Sequence, residues 1–148
     1  MKFQRTSVIN IWFIYAKKER LNLGIKLIKI SSLYFVVGTI LGMIMGMAEL
    51  FQFTSTHAHI NLLGWSSMTL FGLIYHAFPH LTANRLATVH FWTHNIGLPI
   101  MLLGLISFAL RNNLLGIPLM SIGGLIIILA AILFTINIWK NLERSANE

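Results

Sequence analysis

Thr56–Pro79 reads THAHINLLGWSSMTLFGLIYHAFP. It stays apolar for about twenty residues, the length needed to cross a bilayer as a helix. It opens with His57 and His59, ends with His76, and His80 follows Pro79. An imidazole at the edge of a lipid-spanning helix is costly unless it binds something. The spans on either side take their register from this stretch.

The whole chain has 148 residues, 56% hydrophobic and 10% charged, whereas a soluble domain is about 45–50% apolar and about 25% charged. That balance indicates a membrane protein and excludes a soluble hydrolase. Cysteine is absent, which removes disulfides and thiolate metal sites. The net charge of +7 does not indicate nucleic acid, because seven of the eleven Lys and Arg precede residue 30, beside the first apolar run. Such clustering fits anionic lipid head groups and the positive-inside rule.

Four spans are expected at 30–50, 57–79, 90–110 and 114–139, joined by the short links FQFTST, HLTANRLATV and RNN. Short links make successive helices antiparallel neighbours. The expected fold is therefore an all-α integral membrane protein, an up-down four-helix transmembrane bundle. Continuously apolar runs lack the alternation of a membrane barrel, and open sheets do not survive in lipid. Residues 1–29 form a basic segment in which Val8–Ala16 is too short to span. It reads as an interfacial amphipathic helix, with Trp12, Phe13 and Tyr15 in the head-group layer. Residues 141–148 are a cytoplasmic tail. The bundle occupies 30–140, and no internal repeat is visible. Lys and Arg of the N-terminal segment, Arg85, Lys140 and Arg144 fall on one side, which the charge rule makes cytoplasmic. This predicts N-in and C-in in a bacterial cytoplasmic membrane, with His57 and His59 near the outer face.

Gly38, Gly42 and Gly46 repeat a small-xxx-small pattern in the first span. Such a face lets a helix approach closely, within the chain or in a homo-oligomer. Met43 and Met47 follow on one face. Methionine can ligate haem iron or copper, although apolar packing is the ordinary use.

His57 and His59 lie about 200° apart around a helix. They cannot both hold one small ion on a regular helix, but they suit flat macrocycles packed on either side of it. Haem iron accepts a neutral imidazole, and an apolar bundle offers the pocket. His57 and His76 stand about 28 Å apart along a helix, so no single iron joins them. His76 and His94 fall at similar depth on antiparallel neighbours and are expected to form a separate inner metal site.

The motif His57-x-His59 with Gly64-Trp65 and then GLIYHAFP (72–79) resembles the tenth helix of the haem–copper oxidase catalytic subunit, nearest the cbb-type branch. His90-Phe91-Trp92 followed by Gly97 resembles the start of that family's eleventh helix. The resemblance covers roughly residues 50–110. It implies His57 as the ligand of a high-spin haem and His59 as one ligand of a low-spin haem, and it makes His90 structural. The family's copper-binding helices have no counterpart here, nor does its early low-spin haem ligand. Oxidase activity therefore does not carry over, and whether the chain is an enzyme stays open. The expectation is a small haem-b-binding membrane protein acting in electron transfer, diatomic gas binding or haem handling. A missing axial ligand would come from Met47, from Met45 or from a second protomer, or be replaced by gas. Glu49 stands near as a hydrogen-bond partner, Arg111 as a propionate partner, and Trp65 as a wall of the haem face. The alternative is a non-haem accessory or assembly subunit of a respiratory oxidase, or a small copper or metal permease.

Overall fold

Between Leu23 and Ala48 the only charges are Lys26 and Lys29, both at the start. Backbone groups in such an apolar run find partners only within a helix. In the computed structural model, which describes residues 3–143 and their side chains from Leu23 on, this run is the end of a continuous helix, α1 (Phe3–Ala48). The side chains of Trp12, Phe13 and Tyr15, and the end of the tail, lie outside the described residues. A 3₁₀ turn, Phe51–Phe53, leads into a helical run in three parts. These are α2 (Thr54–His59), a π-helical stretch (Ile60–Ser67) and α3 (Met68–Ala77). A 3₁₀ turn at Pro79–Ala83 precedes α4 (Arg85–Ala109) and α5 (Asn113–Asn141).

All of the described regular structure is helical, and three helices are long and apolar enough to cross a membrane: Leu23–Ala48, Arg85–Ala109 and Asn113–Asn141. Phe35, Val36, Ile40, Leu103, Leu125 and Ile128 are all exposed on their surfaces. Apolar surface on this scale suits lipid and not water. α4 starts at Arg85, five residues before the expected position, because the Asn84 side chain accepts from Ala87 N and caps it. Pro99 and Pro118 lie inside α4 and α5, as membrane helices tolerate.

The helices pair as antiparallel neighbours through glycine. α4 and α5 make the most extensive contact. A Cβ at Gly97 would meet Ile126 at 2.7 Å, one at Gly116 would meet the Phe108 backbone at 2.7 Å, and Gly104 and Gly123 abut the backbones of Met120 and Met101. α1 runs against the 54–77 run. A Cβ at Gly24 would lie 2.7 Å from the Gly72 carbonyl oxygen, one at Gly64 2.6 Å from Tyr34, and one at Gly38 2.7 Å from Asn61. Without lipid-excluding hydrophobic force, this closeness is what holds membrane helices together. The pairs share a core that includes Leu27, Met68, Tyr75, Leu98 and Met101.

α1 and α4 end alike. Glu49 (φ 54°) and Arg111 (φ 62°) adopt the left-handed conformation. Leu50 N then donates to Met45 O at 3.0 Å, and Asn112 N to Ser107 O at 2.9 Å. These are Schellman closures, in which glycine is the usual left-handed residue.

A single methyl separates the two kinds of glycine. Gly104→Ala and Gly123→Ala overpack a backbone contact and should each lower stability by about 1–3 kcal/mol. Gly46, where an added methyl group would meet nothing within 4 Å, should accept alanine with no loss. Thermal unfolding of the three variants in one detergent measures the difference.

Candidate functional site

α2 begins the histidine-bearing run at the end of the molecule where α1 and α4 stop. His57 is half-buried and turned toward α1, where a Cβ at Gly42 would lie 2.7 Å from its Cε1. Asn61, one turn on, donates from Nδ2 to the His57 carbonyl at 2.8 Å and fills the space over Gly38. The same amide nitrogen is 3.4 Å and 3.5 Å from the two His57 ring nitrogens, too long for strong bonds. Gly38 and Gly42 are thus occupied from within the chain, and only Gly46 of the small-residue face stays open.

His59 points elsewhere, as the 200° spacing requires. Its Nδ1 lies 2.7 Å from the Ser55 carbonyl. A carbonyl only accepts, so Nδ1 donates, and in the neutral ring Nε2 keeps a lone pair. His59 is half-buried. Immediately before the pair, Thr56 is buried and its Oγ1 has no partner.

The other expected site residues scatter. Met47 is 80% exposed on the apolar surface, and Met43 is exposed as well. Trp65 stacks on Phe35 with ring centres 4.7 Å apart and planes tilted 37°. Arg111 lines an open cleft of about 590 Å³ with Gln52, Phe108 and Asn113, at the same end of the molecule as the histidine pair. His76 is exposed on α3, with its backbone against Gly24.

His94 is only 2% exposed, and its buried neighbour is His90, not His76. Their ring centres are 6.0 Å apart on one face of α4. His94 Nε2 donates to the Leu63 carbonyl at 3.2 Å, a carbonyl of the π-helical stretch. His90 is fully buried. Its Nδ1 is 3.0 Å from the Tyr75 hydroxyl, and its Nε2 has no partner. Phe71 meets both histidines edge-on, and Phe134 of α5 leans on His90 at 5.2 Å. Among the described residues, no three His, Asp or Glu side chains gather in a metal-binding group.

A second polar knot closes the opposite end. Asn137, fully buried in α5, donates to the Leu81 carbonyl at 3.0 Å and accepts from Asn84 at 2.7 Å. Asn141 reaches the same Asn137 oxygen at 2.9 Å. The knot pins the 79–83 turn to α5.

Sequence reasoning passed over Tyr75 and Asn137. The signal was a hydroxyl and an amide inside apolar runs, where a polar group needs a partner. That each has one, on another helix, is a tertiary fact.

Compared with protein-family models, curated proteins and solved structures, the chain finds no match.

Asn137→Leu leaves the Leu81 carbonyl and the Asn84 amide only the 3.2 Å bond they make to each other. It should cost about 1–3 kcal/mol and expose the 79–84 turn to protease. Asn141→Leu removes bonds at the rim of the knot, to the Asn137 backbone and side-chain oxygens, and should cost less. Limited proteolysis together with thermal melting separates the two.

Proposed function

We propose that the chain is a small membrane protein that holds haem b through the His57/His59 end, with His59 Nε2 as the first axial ligand. The observation carrying this reading is the His59 tautomer. A metal-ligating histidine commonly donates its other ring N–H to a carbonyl, which orients the ring and raises its basicity. The Nδ1–H donated to Ser55 at 2.7 Å supplies that arrangement. The donor set fits haem, since a neutral, half-exposed imidazole with a free Nε2 is what the iron accepts. His57, seated against Gly42 with both ring nitrogens only loosely approached by Asn61, is the second candidate ligand. The motif resemblance to the haem–copper oxidase tenth helix supports the same two residues.

Haem bound here supplies a one-electron couple or an iron for a diatomic gas. The chain's part is to exclude water with the apolar faces of α1 and α4, to fix the His59 ring through Ser55, and to offer Arg111 to a propionate. Electron transfer, gas binding and haem handling all use those elements. A homo-oligomer would pack around Gly46. In the bilayer we read 54–77 as a fourth span. Its 24 residues, from Thr54 to Ala77, give about 36 Å at 1.5 Å per residue, enough for the hydrocarbon core. On the positive-inside rule this reading has the N- and C-termini on the inner side of a bacterial cytoplasmic membrane and the histidine pair toward the outer side.

The accessory-subunit reading draws on the wide exposed surface of α1. The permease reading is weaker, because Met43 and Met47 lie on the outside of the helix pair and line no path.

Protein purified from haem-replete cells should show a Soret band and yield b-type haem on extraction. His59→Ala should lower haem content at least tenfold, while His76→Ala leaves it unchanged. A colourless preparation, or a Soret band that persists in the His57→Ala/His59→Ala double variant, rules the reading out.

A further inference from the structure

The pair His90 and His94 lies apart from the haem site proposed above. The two residues are one helical turn apart on α4, so both rings leave the same face. Both are buried, at 0% and 2% exposure. We propose that they form a two-imidazole site for a single Cu(I) ion.

Hydrogen bonds decide which nitrogens are available. The Leu63 carbonyl can only accept, so His94 holds its proton on Nε2 and keeps a lone pair on Nδ1. Tyr75 stands at His90 Nδ1 at 3.0 Å, and an ion on Nε2 would select the tautomer in which Nδ1 donates to the Tyr75 oxygen. His90 Nε2 then carries a lone pair, buried and without a partner. Each ring therefore has an outer oxygen that orients it and one nitrogen left over. This is the pattern of supported metal ligands.

Spacing and charge select the ion. An imidazole nitrogen lies about 1.1 Å from its ring centre and metal–nitrogen bonds are about 2.0 Å, so one ion between two rings sets their centres at most about 6.2 Å apart. The observed separation is 6.0 Å, within the reach of one ion shared by the two rings. Zn(II) in a structural site takes four ligands, and no third His, Asp or Glu joins the pair among the described residues. The walls are the aromatic rings of Phe71 and Phe134. In so apolar a place the desolvation cost rises with the square of the charge, so a monovalent ion held by neutral ligands is far cheaper than a divalent one.

The test uses the full chain, haem-free, in detergent micelles under anaerobic conditions. Cu(I) is titrated against a chromophoric Cu(I) chelator, and the copper-loaded protein is examined by X-ray absorption. One equivalent should bind, with an edge characteristic of two-coordinate Cu(I). His94→Gln keeps an N–H for the Leu63 carbonyl and should weaken binding at least 100-fold. Tyr75→Phe should weaken it about tenfold. The His57→Ala/His59→Ala variant should bind Cu(I) as well as the unaltered chain, whatever becomes of its haem. The proposal is overturned by absence of Cu(I) binding, by binding unchanged in His94→Gln, or by loss of binding only in the His57/His59 variant. A three- or four-coordinate edge in the unaltered protein also overturns it, independently of whether any variant folds.

Discussion

Lipid offers no hydrogen bond to a polar group, and this one constraint orders the molecule. It forces backbone N–H and C=O groups into helices wherever the sequence is continuously apolar. It also requires each buried side-chain polar atom to find a protein partner or to stand out as an exception. Asn137, Asn84 and the Leu81 carbonyl satisfy one another at the turn between α3 and α4. Asn61 turns back to the His57 carbonyl. Against that background the buried atoms without a partner among the described residues, Thr56 Oγ1, His80 Nε2 and His90 Nε2, carry information.

Close packing makes those hydrogen bonds possible. Glycine at positions 24, 38, 42, 64 and 72 removes the side-chain layer between α1 and the 54–77 run, so His57, Asn61 and Tyr34 become the interface themselves. The same device at 97, 104, 116 and 123 draws α5 onto α4. With α5 close, Phe134 reaches His90 and Tyr75. Removal of bulk at the crossings thus delivers aromatic and polar groups to the centre, where dispersion and a few hydrogen bonds act together.

The π-helical stretch links the two histidine regions. It begins one residue after His59 and contains Leu63, whose carbonyl receives the His94 ring. A wider turn changes the rotation of the helix between the pair and α3 and frees a carbonyl from the regular ladder. Such stretches concentrate at functional sites. Here one lies between a half-buried imidazole with a free Nε2 and a fully buried pair shielded by aromatic rings. The two environments differ in access and polarity.

From the sequence alone, the length and apolarity of 30–50, 90–110 and 114–139 dictated helices that suit a bilayer, because backbone satisfaction in lipid depends on composition and not on neighbours. The divergent directions of His57 and His59 were also legible, since their spacing around a helix is a local property. The sequence could not announce the π-helical stretch, because the extra residue per turn is selected by what packs on either side. Nor could it pair His94 with Leu63, His90 with Tyr75, or Asn137 with Asn84, at sequence separations of 31, 15 and 53 residues. The inner metal site expected of His76 and His94 assumed that equal depth means contact. Rotation about the helix axes decided otherwise, leaving His76 exposed and setting His94 beside His90. Depth follows from residue number, but azimuth follows from the glycine contacts that lock each helix against its partner.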